Sequence, residues 1–180
     1  MQSQDFTIYA PQPGKVLVLK SLKADLKAAY NNFQWPDSGH IAAPDWMPVA
    51  KCGDGLHGWL WGEGDADLRV KDEDAKWLVL SVDAESVVEL DGKVKFPECE
   101  VVYCGDRETA VAIIAAHAPA GSKIIFATVT GGNRATVTGG ENAVLICRVL
   151  GKLHILEIDG VKFLPKTPYK VVRGEWVEAS

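Results

Sequence analysis

The sequence predicts an α+β fold: a mixed, mainly antiparallel sheet body with two short helices over residues 1–122, then an all-β extension over 123–180. Three observations carry this. Short β-branched apolar runs bounded by glycine, proline or aspartate recur through the first two thirds of the chain. Helical spacing of apolar residues occurs in two segments, both before Gly121. Beyond Gly121, β-favouring residues alternate with turn dipeptides, and Ala127-Thr-Val-Thr-Gly-Gly132 recurs unchanged as Ala135-Thr-Val-Thr-Gly-Gly140.

Taken in order, Lys15-Val-Leu-Val-Leu19 between Gly14 and Ser21 reads as the first strand. Ser21 is placed to cap a helix whose face would be Leu22, Leu26, Ala29 and Tyr30. Residues 31–51 show no regular period but carry Phe33-Gln-Trp-Pro36, His40, Ala43-Pro-Asp-Trp46 and Pro48; they read as a structured loop whose aromatics either wall a pocket or pin the loop to the core. Cys52-Gly-Asp-Gly-Leu-His-Gly58 and the following Trp59 to Gly64 concentrate glycine, tryptophan, cysteine and histidine in a manner that suits a pocket floor, since glycine lets the backbone approach a ligand closely. The acidic segment 63–74 is expected to stay solvated.

Lys76 to Val82 is nearly continuous in apolar character, so it should be a central strand covered on both faces. Val87 to Leu90 and Lys93 to Phe96 form a hairpin turned at Asp91-Gly92. In Glu98 to Cys104, strand alternation sets Glu98, Glu100 and Val102 on one face against Cys99, Val101 and Tyr103 on the other. Those glutamates suit either a catalytic carboxylate or an edge strand protected from aggregation. Asp106 is expected to cap a helix from Arg107 to His117. The two octapeptides fit a meander of short hairpins or two narrow rungs of a β-solenoid, with Gly151-Lys152 and Asp159-Gly160 as later hairpin turns and Arg173-Gly174 turning a last hairpin.

Composition limits the partners. The 180 residues carry a net charge of −5 with no dense run of lysine or arginine, which argues against nucleic acid. No apolar stretch is long enough to span a membrane, and the start at Met1 lacks the pattern of a signal peptide, so a cytoplasmic location is expected. The cysteines at 52, 99, 104 and 147 lack paired spacing and are expected to stay reduced; placing Cys99 and Cys104 on opposite strand faces argues against a metal site. No cofactor is expected. The candidate ligand-binding residues are His57, Trp35, His40, Trp46, Gly53, Gly55 and Trp59, and His57 and Glu100 are the candidates for any catalysis, with a satisfied core histidine as the bland alternative at 57.

Phe33-Gln-Trp-Pro36, Ser38-Gly-His40, Ala43-Pro-Asp-Trp46, the Cys52 to His57 box, Gly92-Lys-Val-Lys-Phe-Pro97 and Glu100 to Ala110, with the octapeptides and Lys166-Thr-Pro-Tyr169, resemble an uncharacterised family of bacteriophage and prophage accessory proteins whose members carry more copies of a Thr-Ala-Thr-Ala-Gly-like repeat. That resemblance implies a phage protein in the cytosol of a bacterial host. In fold, the order of Ile41-Ala-Ala-Pro44, Gly53-x-Gly-Leu-His57 and the following strands is similar to ADP-ribosyltransferases, which would set His57 against nicotinamide and make Glu98 or Glu100 the late glutamate; the first strand lacks the residue that grips the cofactor's ribose. The functions implied are binding of a nucleotide or ADP-ribose-like ligand to antagonise host defence, an ADP-ribosyltransferase-type enzyme, or an interaction protein that contacts a host protein or forms a homo-oligomer through 123–180.

Overall fold

A computed structural model describes residues 6–131, 135–141, 143–149 and 152–179. It forms two compact units, residues 9–125 and residues 1–8 with 126–180.

The larger unit is built on a seven-stranded antiparallel sheet. Its strands are β1 (Lys15–Leu22), β2 (Gly39–Ala42), β3 (Leu56–Leu60), β4 (Lys76–Asp83), β5 (Val88–Leu90), β6 (Lys93–Phe96) and β7 (Glu98–Gly105), in the order β2-β7-β4-β1-β3-β6-β5. The central pair β1 and β4 is fully zipped from Lys15 opposite Asp83 to Leu22 opposite Lys76. Its apolar runs are buried on both faces, as the unbroken hydrophobicity of 76–82 requires. Val18, Leu22, Leu78, Leu80 and Val82 join Trp35, Leu56 and Phe96 in one core layer. The alternate positions Leu17, Leu19 and Val79 are equally buried, and α1 (Arg107–His117) packs on β1, β4 and β7. Asp106 caps α1 by accepting a 2.7 Å hydrogen bond from the Thr109 N–H.

Three expectations are corrected here. The helix after Ser21 does not form, and α1 is the one α-helix among the described residues. β1 continues through Leu22 because its ladder with β4 is unbroken, and the Ser21 hydroxyl accepts from Val70 N–H rather than capping its own chain. Leu26 then takes φ 62°, which no helix tolerates. Second, β7 lies one strand in from the edge, between β2 and β4, so its glutamates do not guard a free edge. Third, the opposite-face placement of Cys99 and Cys104 fails. The register against β4 slips at Val79/Leu80 and passes over Val102, and such a bulge flips the alternation, so both thiols pack on the same core layer. Five residues of strand still separate them, about 16 Å, and all four cysteines are free thiols.

The smaller unit contains two three-stranded sheets. One is β11-β10-β8 and the other β13-β12-β9, from β8 (Ala127–Gly131), β9 (Val137–Thr138), β10 (Val144–Val149), β11 (Lys152–Glu157), β12 (Pro168–Val172) and β13 (Glu175–Glu178). Val137, Leu145, Leu156, Ile158 and Tyr169 form the core between them. The octapeptides are neither paired hairpins nor two rungs. The strand of the first copy, β8, runs parallel to β10, while that of the second, β9, pairs with β12 in the other sheet. A parallel return demands a crossover, so the two copies together trace a single turn of coil through both sheets. Residues 132–134 and 142 of this segment lie outside the described residues. Asp159-Gly160 is likewise not a hairpin: the Asp159 carboxylate gathers the N–H groups of Val161, Lys162 and Phe163, and the chain crosses to the second sheet. Arg173 and Gly174, at φ 52° and 86°, do make the tight turn between β12 and β13.

Candidate functional site: a cleft where two strands part

The cleft exists because β1 and β3 stop pairing. They share the pairs Val18–Leu60 and Leu19–Trp59 and then diverge, β3 continuing on β6 alone with His57 opposite Lys95. Had the ladder run on in register, Ser21 would have faced His57. Instead the ammonium of Lys20 reaches across and donates to the His57 carbonyl at 2.9 Å, so a side chain satisfies a backbone acceptor that the missing ladder would have orphaned. The opening is a cleft of about 680 Å³, bounded by Lys20, Ser21 and Lys93, by Phe33 and Trp35, by the 52–59 segment, and by Leu68 and Val70 of the acidic segment.

Glycine is required at the point of divergence. A Cβ at Gly58 would overlap Val18 and come 2.7 Å from the Leu19 carbonyl, and one at Gly55, at φ 151°, would lie 2.9 Å from the Trp46 ring. His57 is half-buried beneath this loop. Its Nε2 accepts from Gly53 N–H at 3.4 Å and Gly55 provides a second backbone partner, so the ring clips its own loop together. Burial first, and then the positive charges of Lys93, Lys20 and Lys95, push its pKa down to about 4, leaving it neutral at physiological pH.

Three lysines that the sequence reading did not single out therefore dominate the electrostatics. Lys20 is lowered to about 8, chiefly by burial, and its charge lies 4.7 Å from the centre of the Trp35 ring. Lys95 is fully buried, donating to the Gly53 carbonyl at 3.2 Å over the face of Trp46. Lys93 sits at the rim, 3.1 Å from the Cys52 sulfur. No carboxylate forms an ion pair with any of the three among the described residues. The signal was present in the sequence as Lys20 ending an apolar strand and as the Lys-Val-Lys alternation of 93–95.

Of the expected site residues, His57, Trp35, Trp59, Gly53 and Gly55 come together in the cleft. Trp46 lies behind the glycine loop over Lys95, and His40 is on the outer strand β2, exposed and 3.2 Å from Glu98. Glu100 is exposed on β7 opposite His40, remote from the cleft lining. His57 and Glu100 thus do not form a catalytic pair. No group of three or more potential metal ligands occurs among the described residues.

Residues 16–113, more than half of the chain, match the family described as a domain of unknown function, DUF7666, and the chain belongs to that family. It is also similar to ice nucleation proteins. The protein InaU of Pantoea ananas is 35% identical over 105 residues, covering 57% of this chain and 10% of that protein. A Pseudomonas syringae ice nucleation protein is 36% identical over 105 residues (57% and 9%), and one from Pseudomonas fluorescens 36% over 102 residues (56% and 8%). This chain spans a tenth or less of the length of these relatives. No solved structure matches.

These relatives correct the expectations drawn from the phage resemblance. The DUF7666 family, together with the similarity to bacterial ice nucleation proteins, replaces the bacteriophage accessory family, and with it fall the nucleotide or ADP-ribose-like ligand, the role against host defence, the ADP-ribosyltransferase-type activity and the location in a host cytosol. The repeats and the glycine box were real features attached to the wrong family.

Proposed function

We propose that the chain is a supporting module of the ice-nucleation type, a folded body that carries and organises octapeptide coils rather than templating ice by itself. The observation that carries this reading is the 35% identity over 105 residues to proteins named for ice nucleation. Ice templating calls for an ordered surface much larger than one turn of coil, and one turn is what the two octapeptides make. Within that turn Val137 is buried while Thr136 and Thr138 face outward. β8 and β9 are each the last strand of their sheet among the described residues, so further coils, including those of a second copy, would add at that end.

A droplet-freezing assay tests this. The chain alone should freeze water no warmer than buffer. Replacing the matching segment of the Pantoea ananas protein with the 105 residues of this chain that align to it should preserve that protein's freezing temperature. Nucleation by the isolated chain, or a chimera produced at the normal level that freezes no warmer than buffer, would overturn the proposal.

A further inference from the structure

We propose that the cleft between β1 and β3 binds a small organic carboxylate, its acidic group held by the Lys20 ammonium at the floor with Lys93 at the rim, and its apolar body against Phe33, Leu68 and Val70. The floor is built for a negative charge. Lys20 has three N–H donors; one goes to the His57 carbonyl and one side of the ammonium faces the Trp35 ring, which leaves a donor for the cleft that it lines. A half-buried ammonium with no carboxylate partner among the described residues is costly, and an anionic ligand offsets that cost. The acidic residues of the lining, Asp45, Asp54 and Asp91, are all exposed at the mouth. They disfavour a dianion on entry and leave the floor positive.

The chemistry favours carboxylate over phosphate. Phosphate sites gather several backbone N–H groups in a nest or at a helix terminus. Here one N–H of the glycine loop, that of Gly53, is already spent on His57 Nε2. One half-buried ammonium and one at the rim match a monoanion, and the cleft volume suits a drug-sized or smaller ligand held mainly by apolar walls.

Calorimetric titration of the full chain with benzoate, benzamide and inorganic phosphate at pH 7 provides the test. Benzoate should bind saturably, and benzamide, the same ring without the charge, at least tenfold more weakly. Lys20→Met should weaken benzoate at least tenfold, and Lys93→Met a few fold. Should Lys20→Met not fold, the wild-type chain still decides: benzoate affinity should fall as pH rises through about 8, where Lys20 loses its proton. The groups facing Lys20 are the Cys99 thiol, Lys93, His57 and the Trp35 ring. His57 titrates near 4 and Cys99 near 12, both outside that window. Benzamide binding as tightly as benzoate, phosphate binding more tightly than benzoate, no saturation with benzoate, or an unchanged affinity in Lys20→Met or across pH 7–9 would each overturn the assignment.

Discussion

β1 meets its two neighbours in opposite ways. On the β4 side eight consecutive pairs close without a gap, and the buried residues are leucine, valine and tryptophan with a single serine, Ser21. On the β3 side two pairs form, and beyond them stand a glycine, a histidine and a lysine. The closed side is held by apolar side chains that lose water wherever strands pair. The open side lacks that payload, and its strands part without stranding their polar groups, since Lys20 takes over the hydrogen bond of the absent ladder. A sheet can thus be opened into a cleft by one long cationic side chain placed where an N–H would have been.

The largest expected effect falls on the closed side. Leu80 is fully buried in the layer shared by β4 and its neighbours. Leu80→Ala should cost about 2–5 kcal/mol in urea unfolding, the range for emptying a well-packed site. A loss below about 1 kcal/mol would mean that the layer collapses around the gap, and that the contrast between the two sides is weaker than their geometry. Next comes the hinge itself. Gly58→Val forces a side chain into Val18 and the Leu19 carbonyl and should cost about 1–3 kcal/mol through overpacking. Because Gly58 does not need positive φ, the loss is steric, and Gly58→Ala should fall between wild type and valine in the same unfolding experiment.

How far this contrast could be read from sequence follows the same physics. The closed side was legible because 76–82 and 15–19 are apolar without interruption, and the α1 cap was legible because Asp106 precedes a helical stripe. The helical spacing of Leu22, Leu26 and Ala29 is a coincidence, because the strand partner of Leu22, Lys76, decides the conformation from far along the chain. Parity across Glu98 to Cys104 failed at a bulge, which has no marker such as glycine at Val102. In the site, glycine and tryptophan density located the loop, but not which tryptophans face inward. Trp35 and Trp59 line the cleft whereas Trp46 packs behind it, a distinction set by the path of an irregular loop with no period to read.

A smaller effect concerns His57. Its folded pKa, about 4, lies below the unfolded value of 6.5, so as pH falls from 6.5 toward 4 the unfolded chain takes up a proton that the folded chain refuses, and stability drops. Between pH 6.5 and 5, where the lowered carboxylates Asp25, Asp106 and Asp159 are still ionised in both states, the loss should be about 1 kcal/mol after allowance for the half-exposed ring. His57→Gln keeps an acceptor for Gly53 N–H and should flatten this part of the profile. An unchanged acid slope in the variant would place the sensitivity elsewhere.

The smallest effect on stability, and the sharpest on the comparison, belongs to Lys20→Met. Methionine fills a similar volume and relieves the buried charge, but it leaves the His57 carbonyl without its donor, and the two costs are each about 1–3 kcal/mol with opposite sign, so melting at pH 7 should change little. The pH dependence should change more. In the wild type the folded pKa of Lys20, about 8, lies below the 10.5 of the unfolded chain. Above pH 8 the unfolded chain holds the proton that the folded chain has released, and stability rises with pH. Cys99, raised to about 12 from 9.0, acts in the opposite direction as the unfolded thiol ionises around pH 9.0 while the folded one does not, and Cys104 and Cys147, also raised by burial, act the same way. These thiols are common to the wild type and Lys20→Met, so the difference between the two profiles from pH 8 to 9 reports Lys20. Melting temperature across that interval should rise more, or fall less, in the wild type than in Lys20→Met, while Lys15→Met, at the exposed start of the same strand, should follow the wild type. If all three curves coincide, the ammonium does not sit desolvated in the gap, and the strands part for a reason other than the lysine between them.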